Sequence, residues 1–571
     1  MIEPIGKIKV HSKQKSTGAH YTPVELAKFL AKRLASLAVK DSEGLRIMDP
    51  ACGDGELLKA LASELPERIS EGSQFIGFDQ DIDAIADLNN SWRSGSIDAR
   101  VEDFLALSFN QPSVSSMFED ASEVQTLADV IIANPPYVRT QVLGALKAQQ
   151  LAMAFDLTGR VDLYHAFLVA MTNALKPGGI LGVITSNRFL STRGGTSVRQ
   201  FMESNYDILE VIDLGDTKLF EAAVLPAIFI GRKRAKKEIQ SNGKGKFIRI
   251  YEDPKSKTTE KKKSIYEILN CDVDGSYIVG DHVYKLATGT LTLNDPSEPW
   301  KLVCKKEESW LEKIDTKAQF NLGALMKIKV GIKTTADAVF IRKDWDTLPQ
   351  EIKPETELLR PIIDSSDCIR WHIDLNELTE KILYPYVSDD GKKRLLDLDN
   401  YPKTRSYFEY HRERLAGRKY IQESNKKWYE IWVPHNPSYW DQVMLVTPDI
   451  SPTPRFFFTS EHSLVNGNCY WLTLRQGLPS DYLFLVLGIV NSRLMTRYHD
   501  LAFNNKLYAG RRRYLTQYIE KYPIPDITSP YASELVELVK QRVFGVLNGD
   551  SQNLLEETIE DTVYKLFGVE D

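Results

Sequence analysis

The sequence has no uninterrupted apolar run of about 18 residues, the length needed to cross a bilayer, so no membrane span is expected. Met1 to Lys15 is polar and holds no apolar signal-peptide core. Cysteine is scarce: Cys52, Cys271, Cys304, Cys368 and Cys469 stand far apart. They form no Cys-x-x-Cys pair and match no metal-ligand spacing, so free thiols in a reducing, cytoplasmic setting are expected, and no metal site is. There is no internal repeat and no long low-complexity tract. Excess positive charge is also missing: the formal net charge is −6, which argues against a protein that coats nucleic acid nonspecifically. A local basic cleft is not excluded, because only charges that touch phosphates release counterions.

What is present is 571 residues with 43% hydrophobic and 26% charged residues, a globular composition too long for one ordinary domain. Residues 45–49 and 75–79 read as short apolar strands ending in Asp49 and Asp79, each followed by a helical pattern (56–65 and 82–92). Further strands are expected at 129–133, 180–185, 208–214, 225–231 and 247–251, with a helix over 162–175 stopped by Lys176-Pro177-Gly178-Gly179. Repeated strand–helix units imply an α/β fold with a doubly wound, mostly parallel sheet, and 208–214 with 225–231 an antiparallel pair at one edge. Residues 1–240 are therefore expected as one α/β domain. Residues 241–300, rich in Lys, Glu, Ser and Thr at their start, are expected as a linker or edge region. Residues 301–571, aromatic-rich with many turns, are expected as a separate mixed α/β domain closed by two helical stretches over 531–567.

The most informative stretch is Asn134-Pro135-Pro136-Tyr137, directly after the apolar strand 129–133. An Asn held by two prolines at a strand's end can grip an exocyclic amine. Its side-chain oxygen and the carbonyl of Pro135 both accept, and Tyr137 offers a face for stacking. Upstream, Asp49-Pro50-Ala51-Cys52-Gly53-Asp54-Gly55 lets a ligand approach the backbone at the carboxyl end of a strand. This loop has neither the Gly-x-Gly-x-x-Gly spacing nor a following Gly-Lys-Ser/Thr, so a neutral or zwitterionic nucleoside suits it better than a polyphosphate. Asp79 can accept both hydroxyls of a ribose, and Asp103-Phe104 can put a carboxylate and a ring beside an adenine. Singly these are ordinary caps, turns or core residues; their joint order is that of nucleoside contacts along one sheet edge.

The motifs at 49–55 and 134–137 together resemble those of the adenine-N6 DNA methyltransferases of restriction–modification systems. The resemblance is to the gamma class, in which the catalytic domain precedes the target-recognition domain. Gly18-Ala19-His20-Tyr21-Thr22-Pro23 resembles that class's N-terminal motif. The likeness spans roughly residues 16–232. It implies a class I, Rossmann-like methyltransferase fold that uses S-adenosylmethionine. Thr22, Asp49, Ala51, Cys52 and Gly53 would surround the methionine part, Asp79 the ribose, and Asp103 and Phe104 the adenine. Asn134, Pro135, Pro136 and Tyr137 would form the catalytic segment. Gln80 departs from the pattern, standing where relatives often have an apolar residue. The target base, flipped from the duplex, would stack on Tyr137 and on Phe220 of Leu219-Phe220-Glu221. His20 lies in a loop that either lines this pocket or is solvated.

Residues 329–340 resemble the opening of the family's recognition domain, and Arg511-Arg512-Arg513-Tyr514 with Tyr522-Pro523-Ile524-Pro525 its close. Between them Arg405, Arg412, Arg414, Arg418 and Lys419 alternate with Tyr407, Phe408, Tyr410 and Tyr420, a pattern suited to gripping phosphates. Arg412, Arg414, Arg418, Lys419, Arg511, Arg512 and Arg513 are the expected DNA contacts. The resemblance implies double-stranded DNA as substrate, leaves room for a cognate restriction endonuclease as partner, and favours a monomer in the cytoplasm of a bacterium or archaeon. Other readings are a methyltransferase acting on RNA or a protein glutamine, a methyltransferase–nuclease fusion or subunit, and a catalytically dead DNA-binding scaffold.

Overall fold

A computed structural model describes residues 22–38, 44–109, 127–137, 149, 153, 162–219, 225–235 and 245–570, apart from 255, 292, 294, 296, 461–462, 505, 508–509 and 547. The chain divides into two compact units, residues 1–307 with 501–510, and residues 308–500 with 511–571.

Ten strands of the first unit form one sheet: β1 (Arg46–Asp49), β2 (Gln74–Asp79), β3 (Ser96–Val101), β4 (Ala128–Ala133), β5 (Leu175–Ser186), β6 (Tyr206–Asp213), β7 (Pro226–Lys233), β8 (Lys246–Glu252), β9 (Gly275–Val279) and β10 (His282–Thr290). Their order is β3-β2-β1-β4-β5-β7-β6-β8-β10-β9. β3, β2, β1, β4 and β5 run parallel, and β7 is antiparallel to both β5 and β6. The parallel strands read as continuous apolar runs because both faces are covered. Ile47, Val130, Ile132, Ile180 and Ile184 enter one core with the helices Val24–Ala38 and Glu56–Glu64. Met48, Ile131, Ala133, Leu181 and Val183 enter the other with the helix Leu163–Ala174. The period of two in these lists is the pleat itself.

Two features of the sheet depart from the expected pattern. The pair β6 and β7 is not at an edge, since β8, β10 and β9 extend the sheet beyond it. Accordingly much of residues 241–300 is the edge of the sheet, the second of the two expected alternatives, and not a linker. Its hydrophilic surface residues mask Phe247, Ile248, Ile250 and Leu286, which are fully buried or nearly so. Strand β5 begins at Leu175, so the Lys176-Pro177-Gly178-Gly179 stretch lies inside a strand. Gly178, at φ 79°, sits where the β4–β5 register shifts.

The helix Val24–Ala38 shows why the sheet face is stable. Leu26, Leu30 and Leu34 recur at i, i+4, i+8 and are fully buried, each contributing about 2 kcal/mol. Gly182 in β5 makes the seat: a Cβ there would lie 2.6 Å from Cδ1 of Leu34.

The second unit is mixed. Its largest sheet has five strands in the order Met326–Val330, Cys469–Leu474, Met444–Pro448, Phe457–Thr459, Trp371–His372, antiparallel except for the last pair. A four-stranded sheet shares its core, in which Trp440, Trp471, Tyr407 and Phe408 are buried. Helices Asp481–Asn491, Pro530–Phe544 and Gly549–Phe567 pack together in the same unit.

Candidate active site

The order β2-β1-β4 brings the carboxyl ends of three parallel strands side by side, and these ends carry Asp79, Asp49 and Asn134. The loop after β1 is shaped by two left-handed residues, Gly53 (φ 52°) and Gly55 (φ 82°). Gly55 is the N-cap of Glu56–Glu64, and a Cβ on it would lie 2.3 Å from Leu88 Cδ1. Cys52 donates its backbone N–H to the carbonyl of Phe78 at 2.9 Å, tying the loop to β2. Its thiol packs over Gly77, where a Cβ would come within 2.9 Å of the sulfur, and burial pushes its pKa up, so it stays protonated.

Asp49 is 1% exposed. Its Oδ1 accepts the N–H of Ala51 at 3.1 Å, while Oδ2 is buried with no hydrogen-bond partner. Burial pushes its pKa up to about 8, the Ala51 N–H pulls the other way, and Asp79 adds repulsion. Asp79 accepts from the backbone N–H of Gly53 at 2.9 Å and of Asp81 at 2.9 Å, one on each oxygen. Each oxygen keeps a second lone pair for a ligand hydroxyl. Asp103 accepts from Leu105 and Ala106 N–H and so caps the helix Phe104–Phe109. Phe104 lies in the core, 5.5 Å from Phe78 and stacked 6.2 Å from Phe167 by ring centroids. Gln80 is exposed.

At the end of β4, Pro135 is buried, and Asn134, Pro136 and Tyr137 are half-buried. Asn134 bridges Tyr137 and Thr22: its Oδ1 accepts the Tyr137 hydroxyl at 2.6 Å, and its Nδ2 donates to Thr22 Oγ1 at 3.0 Å. Burial holds the Tyr137 phenol well above its ordinary pKa, so the hydroxyl remains a donor. Thr22, two residues before the helix Val24–Ala38, thus meets the Asn134-Pro135-Pro136-Tyr137 segment. His20, Tyr21 and Phe220 lie outside the described residues.

One buried polar cluster was not anticipated. Asp213, ending β6, accepts from Asn187 Nδ2 (3.1 Å), the Tyr251 hydroxyl (2.7 Å), Gly215 N–H (3.1 Å) and Asn504 Nδ2 (2.7 Å). Burial raises its pKa in spite of these donors. The one sequence signal was Ser186-Asn187 at the end of an apolar strand; Asn504 is 291 residues from its partner and gave none.

The basic residues of the second unit divide into two kinds. Arg414 and Arg511 are exposed; Arg412 and Lys419 are exposed and paired, with Glu409 at 2.7 Å and Glu423 at 3.7 Å. Arg418 is a correction: it is 7% exposed, and its guanidinium donates to the carbonyls of Leu415, Thr334 and Trp428. A group used up on three carbonyls is a tie within the fold, not a grip on phosphate. Arg512 forks onto Asp500 at 2.7 and 2.8 Å, and Arg513 pairs with Asp449 at 3.1 Å. Both stand on a short strand paired with Ile450–Ser451. Among the described residues no group of three or more His, Cys, Asp or Glu is arranged to hold a metal ion, and no helix is long and apolar enough to cross a membrane.

The parallel strands β3-β2-β1-β4-β5 with an antiparallel β7 inserted beside β6, and the loop after β1 at their carboxyl edge, define a class I methyltransferase fold. Comparison with known proteins agrees. The model of the Eco57I restriction-modification methylase family matches residues 66–220. A Type II methyltransferase, M.BanIII of Aneurinibacillus aneurinilyticus, is 43% identical over 98% of both chains, and the Type II methyltransferase M.BstVI of Geobacillus stearothermophilus is 23% identical over 96% of both. The solved structure of the Type IIL restriction-modification enzyme MmeI with DNA has the same fold, with a TM-score of 0.59 at 12% identity over 100% of this chain and 75% of that one. The chain belongs to the Type II restriction–modification DNA methyltransferases.

Proposed function

We propose that this enzyme methylates the exocyclic N6 of an adenine flipped out of duplex DNA, with S-adenosylmethionine as methyl donor. The observation that carries the reading is Asn134 at the end of β4, beside the strand that ends in Asp49, with its side-chain oxygen already receiving a hydrogen-bond donor. The residues fit the donor. Asp49 has a buried oxygen without a partner, suited to an ammonium, and Asp79 keeps acceptor capacity for ribose hydroxyls. The loop around Gly53 and Gly55 leaves backbone within reach, and Ala51 and Cys52 complete the rim. Asp103 and Phe104 belong to this reading with a smaller share, since one caps a helix and the other packs in the core.

The sulfonium supplies an already activated methyl group, so no strong protein nucleophile is required. Asn134 Oδ1 and the carbonyl of Pro135 accept from the target amine and stabilise the positive charge that develops on its nitrogen. Tyr137 and Phe220 stack on the extruded base, which offsets part of the few kcal/mol spent on flipping. Arg412, Arg414, Lys419 and Arg511 are the phosphate contacts we retain; Arg512, held by Asp500 and the Pro452 carbonyl, is set aside with Arg418 as a tie within the fold, and Arg513 is held by Asp449. The reading includes a monomer working in the cytoplasm, with a cognate restriction endonuclease as its partner.

The test is methyl transfer from labelled S-adenosylmethionine to duplex DNA, with nucleoside digestion and mass spectrometry. Label in N6-methyladenine is expected, and Asn134→Ala should abolish it while duplex binding persists. Label in cytosine, in RNA alone or in protein alone would overturn the base assignment.

A further inference from the structure

We propose that Thr22 is a positioning residue for the catalytic amide. Its hydroxyl oxygen, by accepting from Asn134 Nδ2, commits Oδ1 to the target amine. This rests on the proposed role of Asn134 as the acceptor of that amine. An Asn side chain ends in an oxygen and an NH2 of nearly equal size, and only the oxygen accepts. Turned the wrong way, Asn134 would present donors to a donor. Something must choose, and the backbone does not, since χ2 of Asn is broad and roughly two-fold.

The two partners choose together. Tyr137 Oη lies 2.6 Å from Oδ1, and Thr22 Oγ1 lies 3.0 Å from Nδ2. A phenol oxygen gives its lone pair to the ring and is a better donor than acceptor, whereas an aliphatic alcohol accepts readily. The relay therefore runs from the Tyr137 hydroxyl to Oδ1 and from Nδ2–H to Thr22. Tyr137 is only three residues away and travels with the segment, so among the described residues the hydrogen-bonding anchor from outside it is Thr22, 112 residues distant. That anchor is rigid. Pro23 follows it with its φ restricted, and the Pro23 carbonyl accepts from Ala27 N–H at 3.0 Å. The helix it opens is seated on β5 through Leu34 over Gly182. A hydroxyl two residues ahead of a packed helix is placed to hold the amide within the tolerance that chemistry needs.

The reading differs from a cofactor contact for Thr22 in what it affects. Thr22→Val keeps the shape and removes the oxygen; Thr22→Ser keeps the oxygen; Thr22→Ala removes it without adding a methyl group. Single-turnover methylation should fall about tenfold in Thr22→Val and Thr22→Ala, the loss of one directed hydrogen bond. Thr22→Ser should return to within about twofold of the parent. The Kd for S-adenosylmethionine, by titration calorimetry, and for duplex DNA should stay within about twofold in all three. An unchanged rate in Thr22→Val, a loss in Thr22→Val that Thr22→Ala does not share, a rate loss matched by weaker S-adenosylmethionine binding, or a Thr22→Ser as slow as Thr22→Val would each overturn the inference. The parent enzyme separates the two hypotheses. If it labels no exocyclic amine, the reading of the site fails. If it labels one and Thr22→Val is fully active, only the role of Thr22 fails.

Discussion

Asp49 gives a stability test that needs no substrate. Its carboxyl is 1% exposed, one oxygen has no partner, and burial pushes its pKa from 3.8 up to about 8. Between those values the folded protein holds a proton that the unfolded chain has released. Stability is therefore fully present below about pH 4 and declines as pH rises, until the folded carboxyl ionises near 8. Each pH unit is worth about 1.4 kcal/mol, so the full span removes on the order of 5 kcal/mol, and about 3 kcal/mol of that falls between pH 5.5 and 8.5. Asp49→Asn cannot titrate. Urea unfolding of the cofactor-free protein should show the Asn variant gaining about 3 kcal/mol on the parent between those two pH values. A difference between the two proteins that is the same at both pH values would refute the reasoning. The cost has a use on the proposed reading: a bound ammonium favours the carboxylate, so S-adenosylmethionine should bind the parent more tightly as pH rises towards 8 and release a proton. The Asn variant should bind weakly with no such dependence.

Gly55→Ala should cost about 2–3 kcal/mol and weaken cofactor binding, since Gly55 combines a left-handed backbone with close approach to Leu88; a melting temperature equal to the parent's would contradict this. Arg418→Ala should destabilise the second unit by about 2–4 kcal/mol by stranding the carbonyls of Leu415 and Trp428 and taking one of two donors from that of Thr334, with the salt dependence of DNA binding unchanged; a stable protein with a shallower salt slope would return Arg418 to the phosphates. Exposed Arg414 and Lys419, each replaced by Ala, should leave stability within about 0.5 kcal/mol and reduce the salt slope by about one phosphate contact each; an unaltered slope removes them from the interface.

Strands that end in Asp49, Asp79 and Asn134, the loop of Gly53 and Gly55 and the helix after it were all readable in the chain, because each rests on neighbours in sequence: apolar runs, a turn, a proline pair. Strand β3 was missed, because Ile97, Ala99 and Val101 alternate with Ser96, Asp98 and Arg100 over only six residues of a half-exposed edge, and β9 and β10 were hidden among polar residues. Basic residues interleaved with aromatics looked alike in one dimension. Packing separated them, because Arg418 is buried and meets the carbonyls of Leu415, Trp428 and the distant Thr334, while Arg414 is exposed.

Local chemistry alone therefore determined the strand-end positions and the identity of the groups they carry. Only the folded arrangement decided which of those groups are partnered. The Thr22–Asn134–Tyr137 relay, the unpaired oxygen of Asp49 and the convergence of Asn187, Tyr251 and Asn504 on Asp213 join residues far apart in sequence. Hydrogen bonds and desolvation act over a few ångströms in space, and the order of residues along a chain does not say which of them will come that close.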